Sequence, residues 1–170
     1  MIVSAILGAA IMIALTPSIE ISTGVDALQY HGDVCVYKNN ELVSCSDNIL
    51  LDMGKDAIKD SLAVGGGGAF LNLSLCNATA ECDDPVADST GAYTAYEVCG
   101  LEQVEGTYVS LGTGNWSIYY QFTSTCAHTI TTNATMLSNS SGTNLSANNF
   151  SVVSLENSDQ ITINWTVWVE

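Results

Sequence analysis

The chain closes on "QITINWTVWVE", in which Ile161, Ile163, Trp165, Val167 and Val169 alternate with Thr162, Asn164 and Thr166. Alternation with a period of two belongs to a strand that buries one face and wets the other. The same pattern runs through "NWSIYYQFTST", where Trp116, Ile118, Tyr120 and Phe122 share a face opposite Asn115, Ser117, Tyr119, Gln121 and Thr123. In "AFLNLSLC", Ala69, Leu71, Leu73 and Leu75 oppose Asn72, with Phe70 on the asparagine side. "AYTAYEV", "TYVSLG", "TITTNATML" and "NFSVVSL" complete a series of strands separated by Gly, Asn, Ser and Asp. Such a series predicts two antiparallel sheets packed as a sandwich.

Upstream, "HGDVCVYKNNELVSC" reads as a hairpin with the three-residue loop Asn39-Asn40-Glu41. "SDNILLDMGKDAIKDSLAV" follows as the one helix of the globular part. Ser46 or Asp47 can cap its N-terminus, and Leu51, Ile58 and Leu62 fall near one stripe beside Gly54 and Ala57. "GGGG" at 65–68 ends it, with no lysine beyond to make a phosphate cradle. The fold class expected is mainly β: an antiparallel β-sandwich head with one short helix, preceded by an N-terminal apolar helix.

That leading element is "MIVSAILGAAIMIAL". It has no basic side chain, unlike a secretory signal. It falls short of the about 20 apolar residues of a spanning helix unless it continues through Pro17 into "SIEISTGVDALQY". Ala5 and Ala9, like Ala10 and Ala14, place small residues four apart, which lets helices approach closely. The residues expected to assemble are therefore Ile2, Val3, Ala5, Ile6, Leu7, Ala9, Ala10, Ile11, Ile13, Ala14 and Leu15. An ordinary single-pass anchor is the plain alternative. Entry into a neighbour's sheet as an extended donor strand is another, disfavoured by the Gly8-Ala9-Ala10 centre. Residues 1–30 thus form an assembly helix and connector, and 31–170 a single glycosylated, disulfide-containing sandwich domain. No repeat of fixed period is present.

Charge narrows the function classes. The chain carries 18 acidic residues against three cations, Lys38, Lys55 and Lys59, for a formal net charge of -15. Nucleic-acid binding, which draws its affinity from Lys and Arg on phosphates, is excluded as an expectation. Phosphate-handling catalysis lacks its usual cationic clamps.

Six cysteines, Cys35, Cys45, Cys76, Cys82, Cys99 and Cys126, show neither zinc nor CxxC spacing, so a disulfide framework outside the cytosol is expected. Cys35 with Cys45 across the hairpin is the favoured pair. Cys76 with Cys82 and Cys99 with Cys126 would complete one of several open connectivities. N-x-[ST] acceptors begin at Asn72, Asn77, Asn115, Asn133, Asn139, Asn144, Asn149 and Asn164. Chance in this composition gives roughly two or three. Covalent N-glycans are expected, and strand parity places Asn72, Asn115 and Asn164 opposite the apolar face.

Catalytic patterns are missing. His31 and His128 lie near turns or strand ends, without the nucleophile and orienter of a triad. Ser46-Asp47-Asn48 matches one tripeptide of penicillin-recognising enzymes, without the accompanying S-x-x-K and K-T-G. "ECDDPVAD" gathers Glu81, Asp83, Asp84 and Asp88, calcium-type ligands without EF-hand spacing, and reads first as a solvated acidic turn. No enzyme activity, resident cofactor or metal is expected.

A retained apolar leader, "MIVSAILGAAIMIAL", followed by a cysteine-bearing β head with sequons over 115–164, resembles archaeal surface filaments of the type IV pilin and archaellin kind. The chain departs from bacterial pilins in having Glu20 as its first acid, and its apolar run is shorter than the family's helix. The resemblance implies that Met1 follows a cleaved leader, that the N-terminal helix packs with its copies in a filament core, and that a glycosylated sandwich faces outward. The span from "LLDMGKDAIKDSL" to "ITINWTVWV" also looks like a β domain of viral tail or fibre proteins and archaeal surface proteins.

The expected function is that of a structural subunit of an extracellular, cell-surface filament. Its partners would be copies of itself in a helical polymer, with the membrane before assembly and a surface or host receptor as an adhesion target. The alternative is a membrane-anchored adhesin or a viral tail or virion surface protein. Trp168, which breaks the polar face of the last strand, is either an interface anchor or a residue covered by its own loop.

Overall fold

The computed structural model describes residues 29–64, 68–77, 96 and 98–169. Residues 1–28, which carry the expected assembly helix, lie outside the described residues, as do the acidic turn at 81–88, Cys82 and most of "AYTAYEV". The elements run β1 (Tyr30–Lys38), β2 (Glu41–Asp47), β3 (Ile49–Leu50), α1 (Asp52–Val64), β4 (Phe70–Asn77) and β5 (Val104–Glu105). They continue with β6 (Thr107–Gly112), β7 (Asn115–Thr123), β8 (Ile130–Asn139), β9 (Asn144–Leu155) and β10 (Gln160–Val169). Two five-stranded sheets result, in the orders β2-β1-β10-β7-β6 and β3-β9-β8-β4-β5, and every ladder is antiparallel.

The last strand is the middle one of the first sheet, held by β1 on one side and β7 on the other. Its alternation is realised as read: Ile161, Ile163, Trp165 and Val167 are fully buried. They meet Val34, Val36, Ile118 and Phe122 from their own sheet, and Leu73, Leu75, Leu137 and Leu155 from the other, in one core. Each fully buried aliphatic or aromatic side chain contributes about 1.5–3 kcal/mol relative to exposure.

The second sheet is covered on both faces. On its far side Leu51, Cys76, Ala134, Met136 and Ala147 form a separate cluster with Ile49 and Met53. Double coverage removes the wet face, so nearly every residue of β8 is buried and the alternation there is blurred. Two buried hydroxyls of this layer are hydrogen-bonded across it: Thr132 Oγ1 donates to Cys76 O at 2.7 Å and Thr135 Oγ1 to Ser74 O at 2.8 Å. Asn148 Nδ2 ties β9 to the opposite sheet, donating to Ser46 Oγ at 3.0 Å and Asp47 O at 2.9 Å.

The hairpin turn is tighter than expected. Asn39 and Asn40 alone form the loop, both at positive φ, 48° and 69°, and Glu41 already belongs to β2. Asparagine tolerates the left-handed region, and two such residues in succession match the twist of the flanking strands.

The helix also starts later than the capping residues implied. Ser46 and Asp47 remain in β2, paired with Val34 and Asp33. The chain then runs through β3, and Leu51 N donates to Leu145 O at 3.0 Å before Lys55 N makes the first helical bond to Leu51 O. Strand pairing therefore claims the residues that sequence assigned to the cap. Of the expected stripe, Leu51 is fully buried and Ile58 packs against the core.

Cys35 and Cys45 are bridged directly across β1 and β2, and Cys99 is bridged to Cys126. Cys76 is also disulfide-bonded. Disulfides of this number favour an oxidising compartment.

Candidate functional site

Two concavities open side by side where β1 begins and β10 ends, and Tyr30 lines both. The first is an apolar cleft of about 330 Å³ between the sheets, bounded by Tyr30, Phe70, Leu71, Tyr108, Trp116 and Val169. Ile58 closes it from α1, with Leu137 and Leu145 from β8 and β9.

Chain path explains why the cleft stays open. β5 pairs only with Asn72 and Leu73 of β4, so Phe70 and Leu71 project beyond it. Gly106 N then donates to Leu71 O at 2.8 Å, and the chain crosses to the other sheet as β6. A Cβ at Gly106 would lie 2.6 Å from Ile118 Cγ2 and 3.1 Å from Leu73 Cδ1, so this crossing requires glycine.

β6 forms the edge of its sheet beside the cleft. All six of its residues are exposed, among them Tyr108 at 54%, Val109 at 37% and Leu111 at 50%. Tyr119 of β7, opposite Thr107, is exposed as well. Among the described residues no strand pairs with the outer edge of β6. "TYVSLG" carries neither a charge nor a proline, the usual guards of an exposed edge.

The second concavity is polar, about 320 Å³, and is lined by Tyr30, His31, Gly32, Asp33, Asp47, Asn48, Leu50 and Trp168. His31 and Trp168 are register partners on β1 and β10, and their rings stack at 5.5 Å with a 10° tilt. Trp168 is therefore half-buried under a neighbouring strand's imidazole rather than under its own loop. Asn48 Nδ2 donates to the Tyr30 hydroxyl at 2.9 Å, and that hydroxyl meets Ser146 Oγ at 3.2 Å, which joins the two sheets. A Cβ at Gly32 would sit 2.7 Å from Asn48 Oδ1, so glycine makes room for this amide.

Asp33 and Asp47 face each other across β1 and β2. Burial raises the Asp33 carboxyl above its ordinary value, and a hydrogen bond to Asp47 and repulsion by its charge add to the effect. Burial likewise raises the Tyr30 phenol. His128 lies on an exposed bend before β8 and does not line this cavity, so the two histidines serve no common site. Among the described residues no group of three metal-ligating side chains occurs. No helix among them is long and apolar enough to cross a membrane.

The acceptor asparagines divide by layer. Asn115 and Asn164 lie on the outer face of the first sheet, in register with Trp168 and Tyr119, and both are half-buried. Asn72 on β4 and Asn149 on β9 are also half-buried. Asn133, Asn139 and Asn144, on the doubly covered sheet, are only 7%, 9% and 8% exposed. Asn139 builds the β8–β9 turn, its Oδ1 accepting from Ser141 N at 3.0 Å and Thr143 N at 2.8 Å. Asn77 ends β4. A triplet pattern cannot separate an asparagine that closes a turn from one that faces solvent.

The cleft and the bare edge were not among the residues singled out from sequence. Their only sequence signal is "TYVSLG", an apolar strand without a charged guard. Comparison with protein-family models, curated proteins and solved structures returned no match for this chain.

Proposed function

We propose that this protein is a structural subunit of an extracellular, pilus-like surface filament. Residues Ile2 to Leu15 bury themselves against the same residues of sister copies, while the sandwich faces the medium and carries N-glycans. The observation that carries this reading is the apolar cleft with its bare β6 edge, placed at the end of the sandwich where the leader joins at Tyr30. An apolar opening on the head offers a neighbouring copy a surface to bury, as a polymer of such heads requires. The acceptors that best suit this role are Asn72, Asn115, Asn149 and Asn164, whose side chains reach the surface in part. An oligosaccharide on Asn133, Asn139 or Asn144 requires its neighbours to move.

The polar cavity favours a second reading, an adhesin head. A stacked His31–Trp168 pair beside carboxylates and amides offers the mixture of flat apolar and hydrogen-bonding surface that carbohydrate recognition uses.

Sedimentation and negative-stain electron microscopy of the full-length protein, with and without Ala9→Glu and Ala10→Glu, test the filament reading. Wild-type protein should pellet as fibres and the variant should stay dispersed. Wild-type material that remains monomeric in detergent and in buffer alike would oppose the proposal.

A further inference from the structure

The connector between the apolar run and Tyr30 contains a second pattern. In Ser18-Ile19-Glu20-Ile21-Ser22-Thr23-Gly24-Val25, Ile19, Ile21, Thr23 and Val25 alternate with Ser18, Glu20, Ser22 and Gly24. This is the period of a strand with one apolar face. β6 offers the complementary half: an unguarded, uncharged edge that no strand among the described residues pairs with, flanked by a cleft whose walls include Phe70, Leu71 and Tyr108. We infer that residues 18–25 of a second copy add to β6 as an antiparallel strand, with Ile19, Ile21 and Val25 turned toward the cleft. The inference rests on the filament reading and specifies the contact between successive heads.

Geometry decides between a neighbour and the chain's own segment. The register Thr107↔Tyr119↔Asn164↔Cys35 puts the start of β6 level with Cys35, five residues beyond Tyr30. That is ~17 Å along the strands. A strand added outside β6 lies four strand spacings from β1, a lateral ~19 Å. A segment antiparallel to β6 therefore leaves Val25 ~25 Å from Tyr30. The five residue steps from Val25 to Tyr30 span at most ~18 Å fully extended. The chain's own segment cannot reach in this direction, whereas a neighbour's can. All ladders among the described residues are antiparallel, and antiparallel pairing is the more stable kind. The contact joins unlike surfaces on the two copies, so one copy can donate its segment and receive another's at once, which lets the contact propagate along a polymer.

The test uses the full-length protein with cysteine pairs on the outward faces of the two strands, Ser22→Cys with Val109→Cys and Ser22→Cys with Leu111→Cys. Polymers are oxidised, denatured without reductant and mapped by mass spectrometry. A ladder at multiples of the monomer mass, cleared by reductant and carrying 22–109 or 22–111 linked peptides, is expected. Polymers that form but give no such link, or give it only within single chains, overturn the inference and leave the filament reading standing. A wild-type protein that forms no polymer overturns both.

A second variant, Val109→Lys with Leu111→Lys, places charges at exposed positions. It should abolish pelleting without shifting the melting temperature of the dispersed protein. Unchanged polymerisation of that variant also overturns the inference.

Discussion

Gly54→Ala sets two effects against each other. Gly54 sits in the first turn of α1, where alanine is favoured over glycine by about 1 kcal/mol on helix propensity alone. In this fold the helix rests directly on β9: a Cβ at Gly54 would lie 2.1 Å from Leu145 O, 2.8 Å from Leu145 C and 2.8 Å from its Cα. These are backbone atoms and cannot rotate away. Relief requires the helix to back off, which stretches the 3.0 Å bond from Leu51 N to the same carbonyl and loosens Leu51, Ile49 and Met53 against the second sheet. Overpacking costs about 1–3 kcal/mol. The weakened hydrogen bond costs about 1 kcal/mol more. Together they exceed the propensity gain, for a net destabilisation of about 1–3 kcal/mol. Urea unfolding followed by tryptophan fluorescence measures it: the midpoint should fall with the slope unchanged. A variant as stable as the wild type, or more so, would show that α1 does not press on β9.

Three further outcomes are expected. Replacing Cys99 and Cys126 together with alanine opens a loop of sequence separation 27 and should cost about 3–4 kcal/mol in the same assay; a loss under 1 kcal/mol would contradict the assumed constraint on the unfolded chain. Asp159 accepts from Asn39 Nδ2 and Glu156 N and pairs with Lys38, which lowers its carboxyl from 3.8 to about 2. Its folded value lies below its unfolded one, so the stabilisation is complete above about pH 4 and is lost as pH falls toward about 2. Asp159→Asn should therefore narrow its stability gap to wild type over that interval, and a gap independent of pH would refute the assignment. Asp33 has the opposite sign: its carboxyl is raised in the fold, so the penalty of ionising it beside Asp47 is present at neutral pH and disappears as the group protonates. Asp33→Asn should melt higher than wild type at pH 7, with the advantage shrinking in acid.

Legibility from sequence followed burial on one face or two. β10 and β7 were readable because each keeps a contrast between the core and its other face. Trp165 and Ile118 are fully buried, while on the opposite faces Thr162 of β10 is half-buried and Tyr119 of β7 is exposed. β9 was recognised only from Asn149 onward, because "NLSANN" looks like a turn. In the fold Ser146 and Asn148 are buried and reach across to Tyr30 and β2, so polarity there reflects bonding between layers rather than exposure. β3 and β5 have two residues each, too few for any periodicity. The cleft was invisible because it comes from where β5 stops and Gly106 crosses, a matter of register and not of residue type.

Cryo-electron microscopy of the polymer, at a resolution that traces residues 1–28, tests the central claim most directly. The account predicts residues 2–15 of many copies packed together along the axis, with the two-sheet heads arrayed outside them. Single molecules whose leaders lie separately in lipid, or polymers held by the heads alone with the leaders removed, would contradict it.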